Sequence, residues 1–378
     1  MIFDRLNEIW SDDNRPFLIT SNGNLKYSEI KEKKIQGISK VNRGDVVALV
    51  GDFNENSIAT FLQLIEKKCI VVPLTRETVK QHSYFLSESH AQHLFYEDQW
   101  VESYKSVNTN HPLINELRRA DHPGLILFTS GSTGNPKAIL HDFTAFVSRY
   151  TTPRASLKSL SFLLFDHIGG INTLLHMLYN KGLICNIPER SVTNMLNICK
   201  KYEIELLPAT PTFLRMLLLL PNLKSVFPPS IKIISYGTER MDKPTLTKLT
   251  KALPNVDFRQ TYGMSELGIL RIKSLARDSL FMKIGGEGIE TKILDNILYI
   301  KANNRMLGYL NASTPFDNDG WYCTKDIVEV NSQNPDYIRI IGRDSEAINV
   351  AGLKFMASDI ETVVLDYPGI KLAKAIGR

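Results

Sequence analysis

Cysteine is scarce: Cys69, Cys185, Cys199 and Cys323 stand alone in 378 residues, with no Cys-x-x-Cys pair and no Cys/His spacing. That excludes a disulfide framework and the common zinc ligand sets, and it fits a reducing, cytoplasmic compartment. Long apolar runs are missing as well. The most apolar stretch, residues 216–220, is far shorter than the roughly 20 residues that cross a bilayer, so no membrane span is expected. The start, Met1-Ile2-Phe3-Asp4-Arg5, has no signal-peptide pattern. Charge of one sign is also low, with 45 Lys and Arg against 40 Asp and Glu, a net +5. The lysines are scattered, which argues against a nucleic-acid surface and leaves a mildly basic face that would favour a phosphate-bearing ligand. No repeat period or low-complexity tract occurs.

What is present is an ordinary globular composition, 43% hydrophobic and 22% charged, enough for two or three core-bearing units. Residues 17–27 alternate short apolar pieces around Ser21-Asn22-Gly23-Asn24, a hairpin signal, and 28–40 have helix-forming composition with Ser28 as N-cap. Residues 45–50, 57–68 and 69–74 read as strand, helix and strand. The rhythm returns with strands at 160–165, 182–187, 204–207, 231–235 and 256–260, separated by helices at 171–179, 191–201, 211–219 and 243–252. That order predicts an α/β fold, a large layered N-terminal body of parallel sheets and crossover helices. From residue 285 the texture changes to short strands at 290–294, 297–301, 321–324, 327–330 and 337–341, a small β-rich subdomain over about 285–342.

The chain is organised around residues 124–138. An apolar run, Leu125 to Phe128, empties into Thr129, Ser130, Gly131, Ser132, Thr133 and Gly134, followed by Asn135-Pro136-Lys137. Glycines allow close approach of backbone to an anion, and the amides, hydroxyls and Lys137 ammonium supply donors and one positive charge. The order is wrong for a Walker loop, which needs Gly-Lys followed by Ser or Thr. By composition alone the loop is either a solvated turn or a phosphate cradle.

Three further clusters sit after strands. Gln260-Thr261-Tyr262-Gly263-Met264-Ser265-Glu266 combines an aromatic, a glycine, a hydroxyl and a carboxylate, and Ser235-Tyr236-Gly237-Thr238-Glu239 precedes it. Asp319-Gly320-Trp321-Tyr322-Cys323-Thr324-Lys325-Asp326 carries a carboxylate able to accept two ribose hydroxyls, and Gly342-Arg343 follows. Each has a plainer reading as a capped turn or hairpin end.

In this order the clusters resemble the adenylate-forming superfamily, which includes acyl-CoA synthetases, luciferases and the adenylation domains of peptide synthetases. The resemblance covers nearly the whole chain. It implies activation of a carboxylic acid by Mg2+ and ATP to an acyl-adenylate with release of pyrophosphate, then thioester formation with CoA or a phosphopantetheine carrier protein. It assigns Thr129, Ser130, Gly131, Ser132, Thr133, Gly134 and Lys137 to the β- and γ-phosphates and Glu266 to the magnesium. Tyr262, Gly263 and Ser265, with Gly237, Thr238 and Glu239, fall to adenine and phosphate, and Asp326 and Arg343 to the ribose. Residues 296–311, including Gly308 and Tyr309, resemble a family strand and turn with a structural role.

The acid pocket is expected around Phe165-Asp166-His167-Ile168-Gly169-Gly170. With His167 and Gly170 in register the segment resembles the gate of acyl- and aryl-CoA ligases. One residue earlier, Asp166 takes the place of the carboxylate that binds the substrate ammonium in amino-acid-activating domains. Aryl or fatty acid is the preferred substrate class. The alternatives are an amino-acid adenylation domain loading a carrier protein and a catalytically incomplete nucleotide- or acyl-binding homologue. Residues 343–378 resemble a hinge, with Ser345 at its pivot, then the beginning of an incomplete α+β C-terminal subdomain with a helix at 358–365 and a strand from 368 onward. The lysine that the family carries later in that subdomain can be assigned to no residue here, which leaves a separate polypeptide completing the subdomain among the expected partners.

Overall fold

The computed structural model describes residues 2–11, 13–104, 110–129, 134–187, 189–343, 347–350 and 353–365, with 367, 370, 373 and 375. The chain divides into two units. The first holds 1–188, 264–269 and 304–314, and the second 189–263, 270–303 and 315–378.

In the first unit every residue of strands Val46–Val50 and Ile70–Leu74 is buried, the pattern of strands covered on both faces. They pair in parallel, flanked in parallel by His93–Tyr96 and Gly124–Phe128. Helix Glu55–Glu66 provides the crossover; the Asn54 side chain caps it, accepting from Ser57 N at 2.9 Å. Antiparallel strands close the edges, Gln99–Ser103 on one side and Ala138–Asp142 followed by Gly308–Tyr309 on the other. A second group joins the hairpin Pro16–Thr20 and Gly23–Lys26 to parallel strands Leu183–Cys185 and Lys158–Leu160.

Pro73 lies inside a central strand, where a missing N–H normally interrupts the ladder. Ile70 N bonds Asp45 O, and Leu74 O accepts from Gly51 N, both on the Val46–Val50 side. Alternation therefore turns the Pro73 backbone toward Gly124–Phe128. On that side the pairing stops after Ile70–Gly124 and Val71–Leu125. Ladder pairing between the two strands therefore covers only their amino-terminal ends, and loop 129–137 follows the unpaired end of Gly124–Phe128.

The second unit contains parallel strands Leu206–Ala209, Ile233–Tyr236 and Asp257–Gln260. Helices Val192–Lys201, Pro211–Leu218 and Lys243–Ala252 are capped by the side chains of Ser191, Thr210 and Asp242. A six-stranded antiparallel sheet follows, in the order Arg271–Ser274, Met282–Gly285, Ile338–Arg343, Tyr322–Val330, Ile297–Ala302 and Ile289–Leu294. Hairpin Ala347–Val350 and Leu353–Met356 then leads into helix Ala357–Leu365.

Several expectations shift. The helix expected at 28–40 is only Tyr27–Lys31, with Lys26 rather than Ser28 as N-cap; the Glu29 carboxylate accepts from Lys26 N at 2.7 Å. Gly37 at φ 79° and a bridge from Gln36 to Gln99 draw the next residues out of the helix. The strand expected at 160–165 is Lys158–Leu160, because its partner Leu183–Cys185 offers only three residues. The strands expected at 321–324 and 327–330 are one, with a register shift between Ile327 and Val328. The antiparallel sheet begins at Arg271, ahead of the change in sequence texture at 285. The hinge at Ser345 lies outside the described residues, as does most of the segment after 368. Among the described residues no helix is long and apolar enough to cross a membrane.

Candidate functional site

Loop 129–137 is a hairpin loop, since Gly124–Phe128 pairs antiparallel with Ala138–Asp142. Its base is closed twice: Thr129 N donates to Lys137 O at 3.1 Å and Lys137 N to Thr129 Oγ1 at 3.3 Å. Ser130, Gly131, Ser132 and Thr133 lie outside the described residues. Gly134 is exposed, with open space where a Cβ would stand. Asn311 braces the loop, accepting from Ala138 N at 2.9 Å and donating to Pro136 O at 3.1 Å. Lys137 Nζ lies 4.8 Å from the centroid of the Tyr309 ring.

Glu266 belongs to the same unit and is buried, 7% exposed. Tyr309 OH donates to its Oε1 at 2.7 Å. The backbone around it is held by three groups. Met306 N donates to Glu266 O at 2.8 Å, and His141 Nε2 bonds Ser265 O at 2.7 Å. Arg149 reaches Asn304 O at 2.9 Å, Ile269 O at 3.4 Å and Leu267 O at 3.5 Å. Burial holds the His141 imidazole down to about 3, so the ring is neutral near pH 7. Bonding a carbonyl through Nε2 then fixes the proton on that nitrogen.

These residues fit a hard divalent cation. Glu266 has one oxygen oriented by a neutral phenol, and Oε2 has no protein partner among the described residues. No group of three metal-ligating side chains occurs among the described residues. A magnesium held here would complete its shell with water and phosphate oxygens, its ordinary habit.

His167 caps helix Ile168–Tyr179, its Nδ1 accepting from Gly169 N at 3.3 Å. Desolvation lowers its imidazole, and the neighbouring Asp166 carboxylate opposes that shift. Gly170 is buried, and a Cβ there would stand 1.9 Å from Leu164 O, so glycine is required for the helix to approach the preceding loop. Asp166 Oδ2 accepts from the buried Thr75 Oγ1 at 2.8 Å and, at the outer limit, from Thr78 Oγ1 at 3.5 Å. Burial raises its carboxyl above the usual range, opposed by the Thr75 bond.

In the second unit, a Cβ on Gly237 would meet Thr261 Oγ1 at 2.1 Å, so two strand ends approach closely only because residue 237 is glycine. Thr238 is exposed in the left-handed region at φ 68°. Glu239 Oε2 accepts from Thr212 N at 3.1 Å and Thr212 Oγ1 at 2.5 Å, which commits its carboxylate to the first turn of helix Pro211–Leu218. Gly263 follows the half-buried Tyr262. Asp326, 4% exposed, stands opposite Arg343 across the antiparallel ladder. Its Oδ2 accepts from Tyr262 OH at 2.5 Å and its Oδ1 from Arg343 Nε at 3.1 Å.

The structure thus joins Lys137 to Glu266 through Tyr309, and Tyr262 to Arg343 through Asp326. The supporting residues His141, Arg149 and Thr75 were not anticipated. His141 alone carried a signal, a histidine at the end of the apolar run 138–140.

A family model described as AMP-binding enzyme matches residues 36–310. An uncharacterised acyl–CoA ligase of Bacillus subtilis, YhfT, is 28% identical over 284 residues, 68% of this chain and 56% of that protein. A 2-succinylbenzoate–CoA ligase of Staphylococcus epidermidis is 28% identical over 272 residues, 67% and 56% of the two chains. The chain spans about half the length of the curated relatives it matches. Among solved structures, an anthranilate CoA ligase in complex with anthranoyl-AMP superposes with TM-score 0.78 at 16% identity, over 98% of this chain and 82% of that one. An o-succinylbenzoate CoA synthetase from Bacillus subtilis gives TM-score 0.76 at 18% identity, over 98% and 84%. The structural likenesses establish a shared fold, and the match over residues 36–310, well over half of the sequence, establishes that this chain belongs to the AMP-binding enzyme family of adenylate-forming proteins.

Proposed function

We propose that the chain activates a carboxylic acid, aryl or fatty, as an acid–thiol ligase. A substrate carboxylate oxygen attacks the α-phosphorus of ATP, pyrophosphate leaves, and the thiol of CoA or a phosphopantetheine carrier then takes the acyl group from AMP. The nucleophiles come from the substrates, so the protein's contribution is positioning and charge stabilisation. Loop 129–137 would bind the β- and γ-phosphates through its amides, hydroxyls and Lys137. Glu266 would hold Mg2+, which when bound offsets negative charge on the phosphates. Tyr262, Gly263, Ser265 and Gly237 to Glu239 would contact the nucleotide, and Asp326 and Arg343 the ribose.

The observation that carries this reading is the pairing of Lys137 and Glu266 on one tyrosine, a cation and a carboxylate held close by without neutralising one another. Asp166 supports the aryl or fatty preference, because a carboxylate already bonded to Thr75 and pushed toward its protonated form is a poor receptor for a substrate ammonium. The test is pyrophosphate exchange with Mg·ATP over a panel of aryl, fatty and amino acids. Exchange with aryl or fatty acids is expected, and Glu266→Gln and Lys137→Ala should each reduce it by about 10²-fold. Absence of exchange together with no binding of a non-hydrolysable acyl-AMP mimic would sink the proposal. Exchange confined to amino acids and abolished by Asp166→Ala would move it to the amino-acid-activating class.

A further inference from the structure

We infer that Tyr309 is a positioning residue for both charged groups of the nucleotide site: its hydroxyl orients Glu266 for the metal of Mg·ATP, and its ring holds the Lys137 ammonium for the triphosphate. This rests on the function proposed above and goes beyond the structural role that the sequence suggested for residues 308 and 309.

The geometry is specific to a tyrosine. Tyr309 is 6% exposed, and its backbone is fixed by pairing with Ile139, two residues after Lys137. The ring is therefore set by the same ladder that carries the loop. From that position its hydroxyl bonds Glu266 Oε1 at 2.7 Å and its face lies 4.8 Å from Lys137 Nζ.

Chemistry explains why a neutral aromatic suits this place. A buried carboxylate needs a donor, and an Arg or Lys donor would cancel the charge that a cation requires. A phenol satisfies one oxygen and leaves the charge intact. An ammonium needs a partner to hold its flexible stem, and a carboxylate partner would consume its charge and its N–H donors. A π-face attracts the ammonium through its quadrupole and leaves those donors for phosphate oxygens. Among the described residues no carboxylate pairs with Lys137 and no cation pairs with Glu266. A phenylalanine would keep the ring's hold on Lys137 and lose the orientation of Glu266, whereas a leucine would lose both.

The experiment is calorimetric titration of the full chain with α,β-methylene ATP, once with Mg2+ and once with EDTA, for wild type, Tyr309→Phe and Tyr309→Leu, each checked for folding by circular dichroism. Tyr309→Phe should weaken the Mg2+-dependent affinity about tenfold and change the metal-free affinity by less than about twofold, the size of effect that supporting groups have at metal sites. Tyr309→Leu should weaken both. Glu266→Gln provides an independent variant: it should show the same Mg2+-selective loss, and combining it with Tyr309→Phe should add little. Wild-type affinity in Tyr309→Phe, or a loss equal with and without Mg2+, overturns the assignment while the nucleotide reading stands. A folded wild-type chain that binds no nucleotide overturns that reading and the assignment with it.

Discussion

Tyr262 and Asp326 form a 2.5 Å hydrogen bond in which the phenol donates to Oδ2, while Arg343 Nε bonds Oδ1 at 3.1 Å. Burial, and then the neighbouring Asp326 carboxylate, push the Tyr262 phenol well above its ordinary range, so the proton stays on the tyrosine. Tyr262→Phe leaves a buried carboxylate short of a donor and is expected to cost about 1–3 kcal/mol in urea unfolding. Asp326→Asn should fall in the same range, and the double variant should cost less than the sum. Strict additivity would show that the bond does not form in solution.

At Gly170 the obstacle to a side chain is the Leu164 carbonyl, which as backbone cannot rotate away. Gly170→Ala is expected to destabilise by about 3 kcal/mol, at the upper end for overpacking, with a clear fall in melting temperature. An alanine variant with wild-type stability and altered acid preference would instead make residue 170 a pocket wall alone.

Asp166 gives a pH prediction. Its folded pKa lies above the unfolded value, so its contribution favours folding at acid pH and is lost as pH rises through the folded value. Asp166→Asn removes the buried charge. It should therefore be at least as stable as wild type at pH 7, with that relative gain shrinking as pH falls through the raised folded value and gone below the ordinary value of 3.8. Exchange with aryl or fatty acids should survive the change.

His141 has the opposite sign. Its folded value of about 3 lies below the ordinary value of 6.5, so between the two the unfolded chain binds a proton that the folded chain does not. Stability should be fully present above about pH 6.5 and fall as pH drops toward 3. The half-buried His176, lowered by desolvation to about 4, acts in the same direction. In His141→Gln the proton uptake on unfolding in this window, read from the slope of stability against pH, should fall by up to about one proton. An unchanged slope would mean that His141 is already protonated in the folded chain.

The motifs around 129–137, 260–266 and 326 were legible because each is compressed into a few residues with unusual chemistry. The parallel core was legible from runs such as Val46–Val50, where continuous burial writes itself as continuous hydrophobicity. The connections that organise the site were not. Tyr309 meets Glu266 across 43 positions, Thr75 meets Asp166 across 91, and Arg149 meets Asn304 across 155. No local pattern encodes such pairs. The helix-forming composition of 28–40 overstates the helix because composition does not register the bridge that captures Gln36. Loop 129–137 did not announce itself as a hairpin, since Ala138 to Asp142 reads as the start of another apolar segment.

Arg149 has a consequence for the electrostatics of its unit. Among the described residues all its hydrogen-bond partners are carbonyl oxygens, those of Phe146, Leu267, Ile269 and Asn304, and its guanidinium carbon lies 4.4 Å from the centroid of the Phe146 ring. Burial lowers its pKa, yet an arginine keeps its proton throughout the physiological range. The segment that carries Glu266 is therefore built around a fixed positive charge with no acidic counterpart among its bonded partners. Part of that charge falls on His141, where it adds to burial in disfavouring protonation, against the Ser265 bond, which favours it. The clamp that fixes the backbone thus also biases the local potential toward anions, a field present before any ligand arrives.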